Sequence, residues 1–277
     1  MQSKTIIITG ASDGIGAAAA RELKQKGHNV VVIGRSPEKT AAVGNELGAP
    51  FFIADFADLS QVRDLGAAIL AQYPKIDVLA NNAGGIFGSR ERTNDGFELT
   101  FQVNHLAPFL LTNLLLDRLI ASKATVINTA SLAARMWGEI DLDDVNSTKH
   151  FKTRRAYGTS KLENILFTRE LQRRYGASGI NAVAFHPGTV ATNFSSESTS
   201  WVRFAFHSPL KYVARFSTPE KGARQLVRLA ETVAGIAWQP GAYYERGKIA
   251  KTHAQADDVL LARKLWDLSM ALAGLEQ

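Results

Sequence analysis

Tyr157 and Lys161 stand four residues apart in Tyr157-Gly158-Thr159-Ser160-Lys161, a spacing that puts both on one face of a helix. An ammonium beside a phenol favours the phenolate and lowers the phenol's proton affinity from its ordinary pKa of about 10. A tyrosine tuned in this way can give a proton to a carbonyl oxygen or take one from an alcohol. The pair also occurs in helices that do no chemistry, so its meaning depends on the residues around it.

A second chemical feature lies near the start. Thr9-Gly10-Ala11-Ser12-Asp13-Gly14-Ile15-Gly16 follows an apolar run directly and opens a helical stretch. Glycines at 10, 14 and 16 allow a tight turn and a close backbone approach to a pyrophosphate. The helix start offers unpaired N–H groups and a positive dipole end to an anion. The spacing predicts a dinucleotide site holding Gly10, Ser12, Asp13, Gly14, Ile15 and Gly16. About 20 residues further on, where an NAD site carries an acidic residue for the ribose, this chain has Arg35. A guanidinium suits a 2′-phosphate, so NADP(H) is the preferred cofactor, with NAD(H) as the alternative. Asp13 opposes that preference if its carboxylate faces the phosphate.

Taken in order, Thr9-Gly10 with Gly14 and Gly16, Asn81-Asn82-Ala83-Gly84, Asn104, Ser131, Tyr157 with Lys161, and Pro187-Gly188 with Thr192 resemble the short-chain dehydrogenase/reductase family over nearly the whole chain. Asp95-Gly96-Phe97-Glu98, the run Val103 to Thr112, Tyr157 to Phe167, Thr218 to Ala223 and Lys264 to Ser269 narrow the likeness. They resemble its retinol-dehydrogenase-like and WW-domain-oxidoreductase-like branch. The resemblance implies that Tyr157 is the general acid/base and that Ser131 binds the substrate oxygen. It implies that Lys161 contacts the nicotinamide ribose and that Asn104 holds a water of the proton relay. Asn82, Ala83 and Gly84 then line the adenine-ribose side, and Asp55 lies beside the adenine, although Phe56 replaces the usual Leu. Pro187, Gly188, Val190 and Thr192 border the nicotinamide amide.

The elements that must position these residues are legible as short β-branched runs alternating with helical stretches. Thr5 to Thr9, Val30 to Ile33, Phe51 to Ile53, Ile76 to Leu79, Thr125 to Ile127 and Asn181 to Phe185 read as strands. Gly16 to Lys26, Asp58 to Gln72, Phe109 to Ile120 and Tyr157 to Tyr175 read as helices. Strands apolar on both sides require helices on both faces. The expected architecture is α/β, a doubly wound parallel sheet (Rossmann fold) forming one domain over 1–277. The stretch 194–216 breaks the rhythm with Phe194, Trp201, Phe204, Phe206, Pro209 and Tyr212, and is expected to be a substrate lid.

Composition bounds the alternatives. The 277 residues are 45% hydrophobic and 21% charged, typical of a globular core and against disorder. Absence of cysteine excludes a disulfide framework and a thiolate nucleophile. The net charge of +6 is spread along the chain, which disfavours nucleic acid and suits an anionic cofactor. No leader or apolar span is visible, so a cytoplasmic protein without stable membrane insertion is expected. No metal spacing is found. His105 reads as a core histidine, and His186 as a possible border of the substrate pocket. Ser131 lacks the glycine-flanked elbow of a hydrolase nucleophile. The expected function is an NADP(H)-dependent oxidoreductase interconverting a ketone or aldehyde and an alcohol on a small apolar molecule, with homo-oligomer formation left open. A non-catalytic NADP-binding sensor or scaffold, or an epimerase or dehydratase with tightly held cofactor, are the alternatives.

Overall fold

The computed structural model describes residues 2–188 and 218–276. Val190, Thr192 and the expected lid at 194–216 lie outside the described residues. Strands β1 (Thr5–Thr9), β2 (Asn29–Gly34), β3 (Phe51–Ile53), β4 (Val78–Asn81), β5 (Thr125–Thr129), β6 (Asn181–His186) and β7 (Tyr243–Glu245) run parallel. The order across the sheet is β3-β2-β1-β4-β5-β6-β7, and β8 (Lys248–Ile249) adds an antiparallel edge.

Alternation along each strand divides the core between two faces. Ile7, Val31, Leu79 and Val126 point to one side, where helices α3 (Leu59–Gln72), α5 (Ala107–Leu114) and α8 (Thr153–Tyr175) cover them. Ile6, Ile8, Val30, Val32 and Ile127 point to the other, under α1 (Gly14–Gln25), α2 (Pro37–Leu47) and α9 (Pro219–Glu231). The C-terminal helix α10 (Val259–Leu272) packs on α8, with Trp266 wedged against Phe109 and Phe167. This is the expected doubly wound sheet in one domain. No helix among the described residues is long and apolar enough to cross a membrane.

Two expectations need correction. The edge strands β7 and β8 were not anticipated, because each is two or three residues long and the apolar signal of Tyr243 and Tyr244 is brief. Positive φ at Arg246 and Gly247 folds them into a two-residue hairpin. The second correction concerns Phe109 to Ile120, which is not one helix. A short α4 (Leu99–Phe101) leads into a π-turn at Gln102–Leu106, then α5, then α6 (Leu116–Ala121). Within the π-turn the Ala107 amide donates to the Gln102 carbonyl, five residues back. Pro108, four residues after Asn104, has no N–H, so the Asn104 carbonyl lacks its ordinary α-helical donor.

The sheet order reverses between β1 and β4. The loops leaving their carboxyl ends therefore border the crevice in which open α/β sheets bind ligands.

Candidate active site

The glycine turn is held from both sides. Gly10 has φ of 65°, and a Cβ there would lie 2.7 Å from the Ala83 Cα. A Cβ on Gly16 would lie 2.3 Å from the Gly10 carbonyl oxygen. Asn82, at the end of β4, donates through Nδ2 to the carbonyls of Thr9 and Gly10 at 3.0 and 3.3 Å. The Thr9 hydroxyl accepts from the amides of Asn82 and Ala83, each at 3.0 Å. The Asn82 amide thus shapes the turn, a task its sequence position did not reveal. Asp13 caps α1 by accepting from the Gly14 amide at 2.7 Å, and its second oxygen meets the Lys39 ammonium at 3.2 Å. Lys39 was not anticipated; its place in the first turn of α2 is the only signal in the sequence.

A crevice at the strand ends brings together Gly10, Ser12, Arg35, Asp55, Ala83 and Gly84, with Phe87 and Val103 on its wall. Gly34 is needed there: a Cβ would lie 2.4 Å from the Thr40 hydroxyl and 2.7 Å from the Ser12 Cβ. Asp55 accepts from the Ala57 amide at 2.9 Å, and Phe56 fills core space beneath. Gly14, Ile15 and Gly16 begin α1 behind the turn and do not line this crevice. Pro187 and Gly188 follow β6, two strands away from β4, with Gly188 at φ of 92°.

Tyr157 and Lys161 lie in the first turns of α8 and are both buried. The Tyr157 phenol faces Ser131, which sits just beyond the end of β5. The Ser131 hydroxyl accepts at 3.2 Å from the amide of Ala133, the first residue of α7 (Ala133–Trp137), which fixes its direction. Lys161 donates to the Thr129 carbonyl at 3.2 Å, and its Nζ lies 5.7 Å from the Tyr157 ring centre. Burial pushes the Tyr157 phenol up to about 12, with the Ser131 hydroxyl opposing the rise. Burial pushes Lys161 down to about 7. This departs from the expectation that the ammonium lowers the Tyr157 value. Loss of hydration drives each group toward its neutral form.

Asn104 is drawn into the same place, in a role the sequence did not disclose. Its Oδ1 accepts from the Gly85 amide at 2.8 Å, and its Nδ2 donates to the Gly85 carbonyl and the Ser160 hydroxyl, each at 3.0 Å. The side chain therefore clamps the loop after β4 to α8. A Cβ on Gly84 would lie 2.7 Å from Asn104 Oδ1 and 3.1 Å from Lys161 Nζ, so glycine there lets these groups approach. The Asn104 main-chain carbonyl, orphaned by Pro108, accepts from Asn164 Nδ2 at 2.9 Å.

The Asp95-Gly96-Phe97-Glu98 run supports this turn from outside. Asp95 accepts from the Leu59 amide at 2.9 Å and from Gln102 Nε2 at 2.7 Å, tying α3 to the π-turn. Glu98 caps α4 through the amides of Thr100 and Phe101, each at 2.9 Å. His105 is a core residue as expected, and burial pushes it down to about 4, so it is neutral at physiological pH. His186 ends β6 beside Glu245 of β7, and burial lowers its proton affinity as well.

Comparison with known proteins agrees with this arrangement. The short chain dehydrogenase family model matches residues 4–203. A provisionally named daunorubicin C-13 ketoreductase of Streptomyces sp. (strain C5) is 42% identical over 281 residues, covering 99% of this chain and 94% of its own. Human retinol dehydrogenase 13 is 37% identical over 286 residues, covering 99% and 85%. A crystal structure of an uncharacterized protein from Mycobacterium paratuberculosis superposes with a TM-score of 0.78 at 32% identity, covering 99% and 94%. The fold, the crevice and these relatives together establish that the chain belongs to the short-chain dehydrogenase/reductase family, in its retinol-dehydrogenase-like branch.

Proposed function

We propose that the chain is an NADP(H)-dependent oxidoreductase that interconverts a ketone or aldehyde and an alcohol on a small apolar molecule, with Tyr157 as general acid/base. The observation that carries this reading is the buried Tyr157 phenol beside the Ser131 hydroxyl and the Lys161 ammonium. It aligns two hydroxyl groups where a substrate oxygen can be held and protonated. The relatives named as a ketoreductase and a retinol dehydrogenase support the same reaction class.

The crevice fits a dinucleotide. Its turn leaves no room for side chains at Gly10 and Gly16, α1 presents its N-terminus, and Arg35 lies on the wall. Gly10, Ser12, Arg35, Asp55, Ala83 and Gly84 would hold NADP(H), which supplies or accepts the hydride when bound. Arg35 favours the phosphorylated cofactor.

The chain's own residues handle the oxygen and the proton. Ser131, aimed by the Ala133 amide, fixes the substrate oxygen. Tyr157, with a value near 12, is protonated at neutral pH and is poised to donate. Lys161, with a value near 7, can take up or release a proton at working pH and so restore Tyr157.

The test is NADPH consumption by the purified chain with apolar aldehydes and ketones. Loss of NADPH absorbance with matching alcohol formation is expected. No consumption across the panel, with nucleotide retained in equal amount through purification, would instead support an epimerase or dehydratase.

A further inference from the structure

Five buried residues connect the C-terminal helix to the backbone of Tyr157. Ser269 of α10 lies 3.0 Å from His105 Nε2, and His105 Nδ1 lies 3.4 Å from Asn164 Oδ1. Asn164 Nδ2 donates to the Asn104 carbonyl at 2.9 Å. Asn104 Nδ2 donates to the Ser160 hydroxyl at 3.0 Å, and that hydroxyl donates to the Tyr157 carbonyl at 2.9 Å. Every member is at least nine-tenths buried.

The chemistry of the groups fixes the direction of the chain. Asn164 must donate through Nδ2 to a carbonyl, so its Oδ1 faces His105 as an acceptor. His105 Nδ1 then carries the proton, and Nε2 accepts from the Ser269 hydroxyl. Each donor faces the next member in the order from α10 to Tyr157. The chain enters the turn at the one carbonyl that Pro108 has deprived of its helical donor.

The carboxyl groups in this layer, Glu98 before α4 and Glu163 on α8, are not links in it. Glu98 is occupied by the amides of Thr100 and Phe101. Glu163 Oε2 has no hydrogen-bond partner among the described residues.

Resting on the reaction proposed above, we infer that Asn164 is a positioning residue for proton transfer at Tyr157. It acts through Asn104 and Ser160, with His105 and Ser269 fixing the orientation of its amide. The side chain touches neither reacting group. From α8 itself, three residues past Lys161, it ties the π-turn to the helix that carries Tyr157 and Lys161.

The test compares wild type with Asn164→Leu, which keeps the branched shape and removes both hydrogen bonds, and with Ser269→Ala, a milder cut at the far end. Asn164→Leu should lower kcat roughly tenfold and displace the kcat–pH profile, with NADPH Kd unchanged. Ser269→Ala should move the profile in the same direction by less. Lower Tm in both variants with unmoved kcat and pH profile would overturn the inference and leave a structural role only. A second readout does not need turnover: ¹⁵N chemical shifts of His105 in the wild type should show the Nδ1–H tautomer. The Nε2–H tautomer would overturn the direction of the chain. A wild type inactive on every carbonyl would contradict the proposed reaction, and the tautomer would still decide the direction of the chain.

Discussion

The Asp13 carboxylate and the Lys39 ammonium meet at 3.2 Å, joining the cap of α1 to the first turn of α2 beside the wall that carries Arg35. An acidic residue in the glycine turn would by itself discourage a 2′-phosphate. Here its charge is balanced by Lys39. Both side chains are exposed, so the pair adds little to stability and can be exchanged for other partners.

Cofactor choice should respond to this arrangement in both directions. Asp13→Asn keeps a good capping side chain and releases Lys39, so NADPH affinity should rise severalfold while NADH affinity stays level. Arg35→Asp should cost about 1.5–3 kcal/mol toward NADPH, roughly ten- to a hundredfold in Kd. Fluorescence titration with the two nucleotides measures each effect. Equal wild-type affinity for NADH and NADPH would contradict the assignment to Arg35.

Buried Lys161 should leave a signature in stability. Its proton affinity falls from the ordinary 10.5 to about 7 in the folded chain, so between these values the unfolded state binds more protons. Its contribution to stability therefore rises with pH across that window and is smallest below pH about 7. Lys161→Met should raise Tm at neutral pH and flatten the rise from pH about 7 to 10, while abolishing turnover. Denaturant unfolding at a series of pH values checks it; a variant curve parallel to the wild type would contradict the burial of a titrating lysine.

Gly16→Ala tests the glycine turn. The new Cβ would fall 2.3 Å from the Gly10 carbonyl and 2.7 Å from Asn82 Nδ2. Neither can yield without breaking the clamp between β1 and β4. Loss of nucleotide binding and a clear drop in Tm are expected, measured by titration and thermal unfolding. Wild-type affinity would show that the turn is looser than its contacts require.

Much of this was legible because the local and global signals agree. Apolar runs such as Thr5–Thr9 have room for only one reading when a glycine turn and a helix follow. The Tyr157 and Lys161 pair was equally plain, since helical spacing is fixed. What escaped depends on tertiary contact. Burial reverses the expected shift at Tyr157, and only the folded environment shows how much hydration is lost. The family resemblance points to Asn104, but its work as a clamp on Gly85 and Ser160 needs partners 19 and 56 residues away. Pro108 did hold a usable local clue, an orphaned carbonyl at Asn104, and Asn164 is the residue that answers it.

The central claim, proton transfer by Tyr157, is tested most directly by turnover of Tyr157→Phe with NADPH and a carbonyl substrate the wild type reduces. The variant loses one hydroxyl and leaves the crevice intact. A fall of at least about 10²-fold in kcat with NADPH Kd unchanged is the expected result. Near-normal kcat in Tyr157→Phe would contradict it and remove Tyr157 from the chemistry.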